Sequence, residues 1–299
     1  MNNSMKILIV GGTGTLGREA VQVLSNSGYT IYVMARTPEK AAQLLPPSVE
    51  IVKGDLIDIE SLKKASQDMD VVIASAHSLL GRGKYTSEKV DLAGHKALID
   101  AAKNARVEKF IYISVIDADS NSEVDFWKTK FEIEQYLKQS AMNYTIIRAS
   151  AFMEMHLHEL IGKPILEKGK VTIFGNGNNP TNFISVKDIA QLIRQVIGNP
   201  VADNQIIEIG GSENITKNDA AKLYGTIANK EVKIAHLSPG FLKIMSKIIK
   251  PLHPGIARVM RLSAYFDETD QTFDPTLILK KYPIALTSIT DFIKSKIRD

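Results

Sequence analysis

The sequence predicts an α/β protein built on a doubly wound parallel β-sheet. Apolar runs rich in Val and Ile alternate with helical patterns through the first half of the chain. Several runs are continuously apolar, as strands covered on both faces of a sheet are. The first run, at 6–10, ends in a glycine-rich turn that opens a helical pattern. Strands and helices in this alternation form a parallel sheet with right-handed crossovers.

The alternation places six strands and five helices in the first half of the chain. The strands are predicted at 6–10, 30–35, 49–53, 70–75, 108–113 and 143–147. The helices are predicted at 15–27, 37–45, 59–67, 86–105 and 125–140. Because proline cannot continue a helix, Pro46 and Pro47 are predicted to end the second one.

After about residue 150 the alternation loosens. We predict a helix at 152–168, strands at 170–174, 205–209 and 231–235, a loop at 175–181 and further helices after Thr216 and from Thr287 or Ser288. Asp188 is predicted to cap a helix that runs to about 197. We therefore expect one nucleotide-binding domain over 1–299, with the cofactor sheet in about 1–150 and a smaller C-terminal substrate lobe in 151–299 that completes the cleft.

Composition excludes several classes of protein. Of the 299 residues, 44% are hydrophobic and 23% charged, as in ordinary globular proteins. The 37 basic and 33 acidic residues are mixed along the chain, without the basic stripe typical of nucleic-acid binding. The lack of cysteine excludes disulfides and thiolate metal sites. MNNSMK has no signal-peptide pattern, and no apolar run approaches the roughly 20 residues of a membrane span. We expect a cytoplasmic monomer or homodimer.

The glycine-rich turn predicts a site for phosphate groups. Gly12, Gly14 and Gly17 fit the dinucleotide pattern G-x-G-x-x-G, and Gly11, Gly14 and Gly17 fit its G-x-x-G-x-x-G variant. Backbone N–H groups at a helix N-terminus and the helix dipole both favour an anion. The predicted contacts to a dinucleotide here are Gly11, Thr13, Gly14, Thr15, Leu16 and Gly17. Such a strand, turn and helix are typical of a Rossmann-type fold.

Later strand ends predict which dinucleotide binds. A carboxylate that reads the ribose 2′-hydroxyl is expected near the end of the second strand, but Arg36 and Thr37 stand there. A cation suits a 2′-phosphate, so we predict NADP, with NAD less favoured; the alternative is a solvated arginine. Asp55 is predicted to accept a hydrogen bond from adenine beside Leu56, or else to cap a helix. The small residues Ala74, Ser75 and Ala76 would let the cofactor cross the sheet edge, or serve packing alone.

These features resemble the NmrA-like group of atypical, extended-type short-chain dehydrogenases/reductases. The motifs concerned are GGTGTLG at 11–17, Arg36, Gly54-Asp55-Leu56, Ile111–Ser114, Lys130 with Glu134, Ile147–Met153 and Asn182–Ala190. The last is the most specific, because dinucleotide binding alone does not require it.

The resemblance implies a catalytic Tyr-x-x-x-Lys on the helix after the fifth strand, with a serine nearby. Lys130 and Ser114 match the lysine and the serine, but Phe126 replaces the tyrosine. Lys130 is then expected to bind the nicotinamide ribose and to act as the sole proton donor; the alternative is an exposed helix lysine. The only literal Tyr-x-x-x-Lys, Tyr85 to Lys89, lies one helix too early and is treated as a coincidence.

The resemblance also places Ala149 near the nicotinamide. His77, Trp127, Phe152 and Met153 are predicted to line a substrate cavity, the alternatives being a loop role or plain core. Two functions stay open: an NADP-dependent reductase of a small, largely apolar substrate, and a regulator, redox sensor or assembly factor with a protein partner. Residues 241–250, FLKIMSKIIK, are basic and amphipathic. They predict either contact with a membrane surface or partner, or a helix with a solvated lysine face.

Overall fold

The computed structural model describes residues 4–81 and 83–298 of the chain, so the first three residues of MNNSMK lie outside the described part. The chain forms two compact units. The first runs to Arg148 and includes Ile189–Glu208, and the second comprises Ala149–Asp188 and the chain from Ile209 onward. The first unit therefore includes, through Ile189–Glu208, most of one helix and one strand that follow residue 150 in the sequence.

The strands are β1 (Lys6–Val10), β2 (Thr30–Ala35), β3 (Glu50–Lys53), β4 (Val71–Ala74), β5 (Lys109–Val115), β6 (Tyr144–Ala149), β7 (Ala151–Phe152), β8 (Lys170–Phe174), β9 (Thr181–Ile184), β10 (Gln205–Ile209), β11 (Asn214–Ile215) and β12 (Lys233–Leu237). The α-helices are α1 (Thr15–Ser25), α2 (Pro38–Ala42), α3 (Ile59–Ser66), α4 (Gly94–Asn104), α5 (Asp125–Gln139), α6 (Lys163–Lys168), α7 (Val186–Val196), α8 (Lys217–Ala228), α9 (Pro239–Ile249), α10 (Pro254–Glu268), α11 (Thr276–Lys281) and α12 (Ile289–Arg298). Glu88–Ala93 and Glu154–Gly162 are π-helical, and Pro200–Ala202 is a 3₁₀ turn.

The predicted sheet is confirmed. Seven strands pair in the order β10-β6-β5-β4-β1-β2-β3, and β1 runs parallel to both β2 and β4. The central strand β1 is buried, with Ile7, Leu8 and Ile9 inaccessible to solvent. The strand order reverses between β1 and β4, and in open α/β sheets ligands bind at the carboxyl ends of the strands beside such a switch point.

Two helices of the structure differ from their prediction, one in its length and the other in its type. The second ends at Ala42, before the Pro46-Pro47 pair, so proline is not its immediate stop. The helix predicted at 86–105 begins as the π-helical segment Glu88–Ala93 and becomes α-helical from Gly94. Its location is correct, but hydrophobic periodicity does not distinguish the wider π turn from an α turn.

The predicted cap at Asp188 is wrong. α7 begins at Val186, where the Glu154 carboxylate accepts the Val186 N–H at 3.1 Å and Ser185 Oγ accepts the Lys187 N–H at 3.3 Å. Asp188 lies inside the helix. Its carboxylate accepts the N–H and the hydroxyl of Thr287, at 2.9 and 2.7 Å, and so holds the chain just before α12.

The second unit has its own sheets and core. β7 and β11 flank β9, and β8 pairs in parallel with β12. Two predicted helix starts are confirmed: Thr216 Oγ1 accepts the Asp219 N–H at 3.0 Å, and Ser288 Oγ accepts the Asp291 N–H at 3.0 Å. The predicted helix 152–168 starts later, since Phe152 belongs to β7. None of the helices in the described part of the chain combines the length and apolarity needed to cross a membrane.

Candidate functional site

The glycine turn is a tight cradle at the end of β1. Gly11 has a φ of +98°, and a Cβ there would lie 2.6 Å from the Ala76 nitrogen. A Cβ at Gly17 would lie 2.1 Å from the Gly11 carbonyl oxygen, which also accepts the Gly14 N–H at 2.9 Å. The G-x-x-G-x-x-G register therefore describes the turn. Gly12 is needed for another reason, because its Cβ would meet Val33 at 2.7 Å.

The N-terminus of α1 is open to an anion. Gly14 precedes the helix, no side chain caps it, and its first turn contains no acidic residue. Thr13, Gly14 and Thr15 are accessible, whereas Leu16 and Gly17 are buried and could contribute only backbone N–H groups. Unpaired N–H groups at such a terminus bind phosphate, so the cradle fits the diphosphate of a dinucleotide.

Small residues after β4 close one side of this cradle. The N–H groups of Ser75 and Ala76 both donate to the Val10 carbonyl, at 2.9 and 3.1 Å, and Ser75 Oγ also donates to it at 3.2 Å. Ala74 is buried in the sheet. These contacts show that the small residues serve the packing of the turn, and a route for the cofactor across this sheet edge stays a prediction.

A basic and aromatic cluster lies beside the ends of β2 and β3. Arg36 is exposed, and its guanidinium carbon stands 4.6 Å from the centre of the Tyr85 ring. The Tyr85 hydroxyl donates to Asp55 Oδ2 at 3.0 Å. Thr37, just before α2, is exposed, whereas Leu56 is buried. Tyr85 thus links the two residues predicted to read the adenosine end of the cofactor.

Sequence reasoning missed Tyr85. It lies on the loop after β4, far along the chain from Arg36, and the loop is turned back by a hydrogen bond from Ser78 Oγ to the Tyr85 carbonyl at 2.7 Å. In the sequence, Tyr85 stands out only because it and Lys89 have the Tyr-x-x-x-Lys spacing. No sequence pattern connects Tyr85 with Arg36.

Lys130 is buried, not an exposed helix lysine. Only 5% of the residue is accessible, and Nζ donates to the Ile113 carbonyl at 2.8 Å. Nζ also stands 4.7 Å from the centre of the Tyr112 ring and 5.5 Å from that of Phe126. Burial lowers the pKa of Lys130 to about 8, although the Asp91 and Glu134 carboxylates act to raise it.

A buried polar cluster that the sequence did not reveal surrounds this lysine. Asp91 accepts the Ser78 N–H at 2.6 Å and the Ser87 hydroxyl, and its carbonyl oxygen lies 2.8 Å from His95 Nδ1. Burial lowers the pKa of His95 to about 4, so the imidazole is neutral. The His95 ring meets the Tyr112 ring edge-on at 5.6 Å. Asp91 therefore links the loop after β4 to the first turn of α4.

Ser114 is committed to another buried pair. Its hydroxyl donates to Glu134 Oε1 at 2.5 Å, and Arg148 makes two hydrogen bonds to the same carboxylate, at 3.0 and 2.7 Å. Ser114 is buried and Glu134 fully so. The geometry therefore gives no support to the predicted catalytic role of Ser114, because its only proton is held by a carboxylate. These contacts position the end of β5 against α5.

The residues predicted to line a substrate cavity divide into two groups. The His77 residue is accessible, and its ring lies 6.1 Å from that of Phe126. Desolvation of the imidazole lowers the pKa of His77, and the positive charge of Lys130 lowers it further. Phe152 is half-buried. Trp127 and Met153 are buried, which favours the alternative of plain core. Trp127 Nε1 donates to the Ile116 carbonyl at 2.9 Å, and Met153 is fully buried in the core of the second unit, so both are packing residues.

Two further observations complete the site. Ala149 is buried at the end of β6. Within residues 4–81 and 83–298, no three histidine or acidic side chains are grouped as a metal site would require.

Comparison with known proteins identifies the family. Residues 3–292 match the NmrA-like family. The chain belongs to the NmrA-like family. It is 31% identical over 245 residues to the photosystem II assembly factor Ycf39 of Cyanophora paradoxa, covering 80% of this chain and 74% of that protein. It is 28% identical over 227 residues to the NAD(P)H azoreductase of Xenophilus azovorans, covering 76% and 75%.

A solved structure of the same fold is that of the NADPH-dependent quinone oxidoreductase QOR2 from Escherichia coli, complexed with NADPH. It superposes with a TM-score of 0.77 over 98% of this chain and 100% of that one, at 22% identity. The curated relatives thus include a reductase as well as an assembly factor, which is the choice that Phe126 leaves open.

Proposed function

We propose that this NmrA-like protein is an NADP(H)-dependent oxidoreductase that reduces a small, largely apolar molecule. The observation that carries the proposal is Lys130, held at the end of β5 with its pKa lowered to about 8. A group of that pKa can donate a proton near neutral pH and give it up readily, as a general acid must. It lies in the same unit as the glycine cradle.

NADPH, when bound, supplies hydride. The turn from Gly11 to Gly17 would hold the diphosphate through backbone N–H groups, and Arg36 would pair with the 2′-phosphate. Lys130 has three N–H donors and uses one on Ile113, which leaves two for a ribose hydroxyl and the substrate. Lys130 would donate its proton to the substrate atom that gains electron density in the reduction. Phe126, close to the ammonium, excludes water from that side.

The names of the relatives support this reading. The names of the azoreductase and the quinone oxidoreductase refer to azo compounds and quinones, and both of these groups are conjugated acceptors. Such acceptors take hydride with less help from an acid than a simple ketone needs. A site without the tyrosine is therefore suited to them.

A second function is a regulator or assembly factor that binds NADP(H) without turnover. Phe126 favours it, since no tyrosine can relay a proton, and so does the likeness to the Ycf39 assembly factor. This alternative predicts unequal affinities for NADP⁺ and NADPH, or a partner whose binding depends on the cofactor. Equal affinities and a cofactor-independent partner would count against it.

The cofactor assignment is tested by calorimetric titration of NADPH and NADH into wild type and Arg36→Ala. We expect NADPH affinity to fall at least about tenfold and NADH affinity to change little, because the 2′-phosphate loses a charged hydrogen bond. Arg106→Ala is the matched control, an exposed arginine just before β5 and away from the carboxyl ends of the strands. An equal loss for both nucleotides would contradict the 2′-phosphate role.

Turnover is tested by following NADPH oxidation with a panel of quinones, enones, imines and aldehydes. We expect quinones or imines to be reduced by wild type, and Phe126→Tyr to add or raise carbonyl reduction, because it sets a phenol on the ring beside Lys130. NADPH binding without oxidation by any acceptor would favour the regulator.

A further inference from the structure

The α9–α10 hairpin of the second unit presents an apolar surface. On α9, Ile244 and Ile248 are 62% and 60% exposed, and Phe241 on the same face is also exposed. Leu252, in the turn between the helices, is 87% exposed, and Ile256 at the start of α10 extends the patch. We call these five residues the apolar edge. Most large apolar side chains in a folded protein are at least partly covered, so a contiguous exposed set marks a contact surface.

The residues of the apolar edge lie on regular helices and on a hydrogen-bonded turn. The spacing of Phe241, Ile244 and Ile248 puts them on one face of α9, while Leu242 and Ser246 on another face are buried. The turn is held by hydrogen bonds from the N–H groups of Leu252 and His253 to the Ile249 carbonyl, at 2.9 and 2.8 Å. Leu252 is therefore displayed at the tip of an ordered turn.

Basic side chains lie beside the apolar edge. Lys243, Lys247 and Lys250 share the neighbouring face of α9, and all three are exposed. Lys243 pairs with Glu268 at 2.6 Å, and among the described residues no carboxylate lies within ion-pair distance of Lys247 or Lys250. The segment 239–262 contains five basic residues and no acidic one. The surface is thus apolar at its edge and positive along its flank.

Charge decides what this surface fits. In a symmetric contact between two copies, the same patch meets itself, so the lysines of one copy would face those of the other. Leu252, 87% exposed in the turn, can enter an apolar phase without any rearrangement of the hairpin. A lipid bilayer with acidic headgroups accommodates both features, because apolar side chains enter the acyl boundary while lysines remain among the phosphates.

We propose that the α9–α10 hairpin docks the protein on an anionic membrane surface, with Ile248 and Leu252 inserted and Lys247 and Lys250 on the headgroups. This is peripheral contact and needs no spanning helix. Of the two alternatives for residues 241–250, the proposal takes contact with a membrane surface. It does not depend on the cofactor or on turnover, since every residue concerned belongs to the second unit, whereas the glycine cradle belongs to the first.

The test is co-sedimentation of the full chain with vesicles of phosphatidylcholine alone or with 30 mol% phosphatidylglycerol, at about 0.15 M salt. We expect binding to the anionic vesicles and at least about tenfold weaker binding to the neutral ones. Ile248→Ser with Leu252→Ser should lower binding at least about tenfold through lost apolar burial. Lys247→Gln with Lys250→Gln should lower it about 25-fold, at about fivefold for each lysine.

The chain offers matched controls on α11. Leu277 is 78% exposed, and Lys280 and Lys281 are exposed beside it. Leu277→Ser and the double change Lys280→Gln with Lys281→Gln should leave vesicle binding within about twofold of wild type. Circular dichroism checks that each variant is folded.

Three results would overturn the proposal. Wild type could fail to bind anionic vesicles, or the α11 variants could lose as much binding as the hairpin variants. Light scattering could also show a dimer that Ile248→Ser with Leu252→Ser dissociates, which would make the apolar edge a self-association surface. Loss of binding in the hairpin variants alone supports membrane docking.

Discussion

As the proposed proton donor, Lys130 should make the rate of reduction depend on pH in a way that an ordinary lysine would not. With a pKa of about 8, about 90% of Lys130 is protonated at pH 7 and about 10% at pH 9. The proton-donating form therefore falls about tenfold over that interval. A lysine at the usual value of 10.5 would stay more than about 95% protonated at pH 9. The cause is burial, which disfavours the ammonium more than Asp91 and Glu134 favour it.

The assay is the single-turnover rate of NADPH oxidation between pH 6 and 10, with an acceptor that does not titrate in that range. We expect the rate constant to fall about tenfold from pH 7 to pH 9, with its midpoint near 8. Lys130→Met should remove most of the rate at every pH and flatten the profile. Competitive acetylation of the cofactor-free protein, read by mass spectrometry, locates the pKa without any turnover.

These two measurements separate two failures. A rate that stays constant to pH 9.5 while acetylation gives a pKa near 8 would refute Lys130 as the proton donor. An acetylation midpoint near 10.5 would refute the argument from burial itself.

Two further predictions concern the residues that hold the site together. Glu134→Ala leaves Arg148 without its buried partner and should lower the free energy of unfolding in urea by about 3–5 kcal/mol. Glu132→Ala breaks only an exposed pair and should cost less than about 1 kcal/mol, and similar losses for both would contradict this account. Tyr85→Leu should reduce the preference for NADPH over NADH by about two- to fivefold, because Arg36 loses its stacked ring. Tyr85→Phe keeps the ring and should keep that preference; a preference unchanged in both variants would mean that the stacking does not position Arg36.

The parts of the molecule that the sequence predicts correctly have local determinants. β1 and the turn after it are specified by an apolar run and four glycines within a dozen residues. Thr216 and Ser288 cap helices through N–H groups three residues away, so the signal and its structural effect lie within one turn of chain. The position of Phe126 on the face of Lys130 follows from helical spacing alone.

The parts that the sequence does not predict depend on partners far away in the chain. Asp188 has the residue type and position of a helix cap, but Thr287 offers its carboxylate two donors and Glu154 takes over the helix start. Tyr85 reaches Asp55 only because its loop folds back onto the sheet edge. A single sequence contains these residues but not their pairing, so neither contact can be read from it.

The environment of Lys130 bears on whether this chain is an enzyme or a regulator. A lysine that only binds a ribose hydroxyl or a phosphate does so best when fully charged, and an accessible position would keep it so. Here the Lys130 ammonium is buried between two aromatic rings and one carbonyl oxygen, at a cost to its charged form. Nothing in cofactor binding requires that cost, whereas proton donation near neutral pH does. The environment of Lys130, more than the missing tyrosine at Phe126, therefore favours turnover.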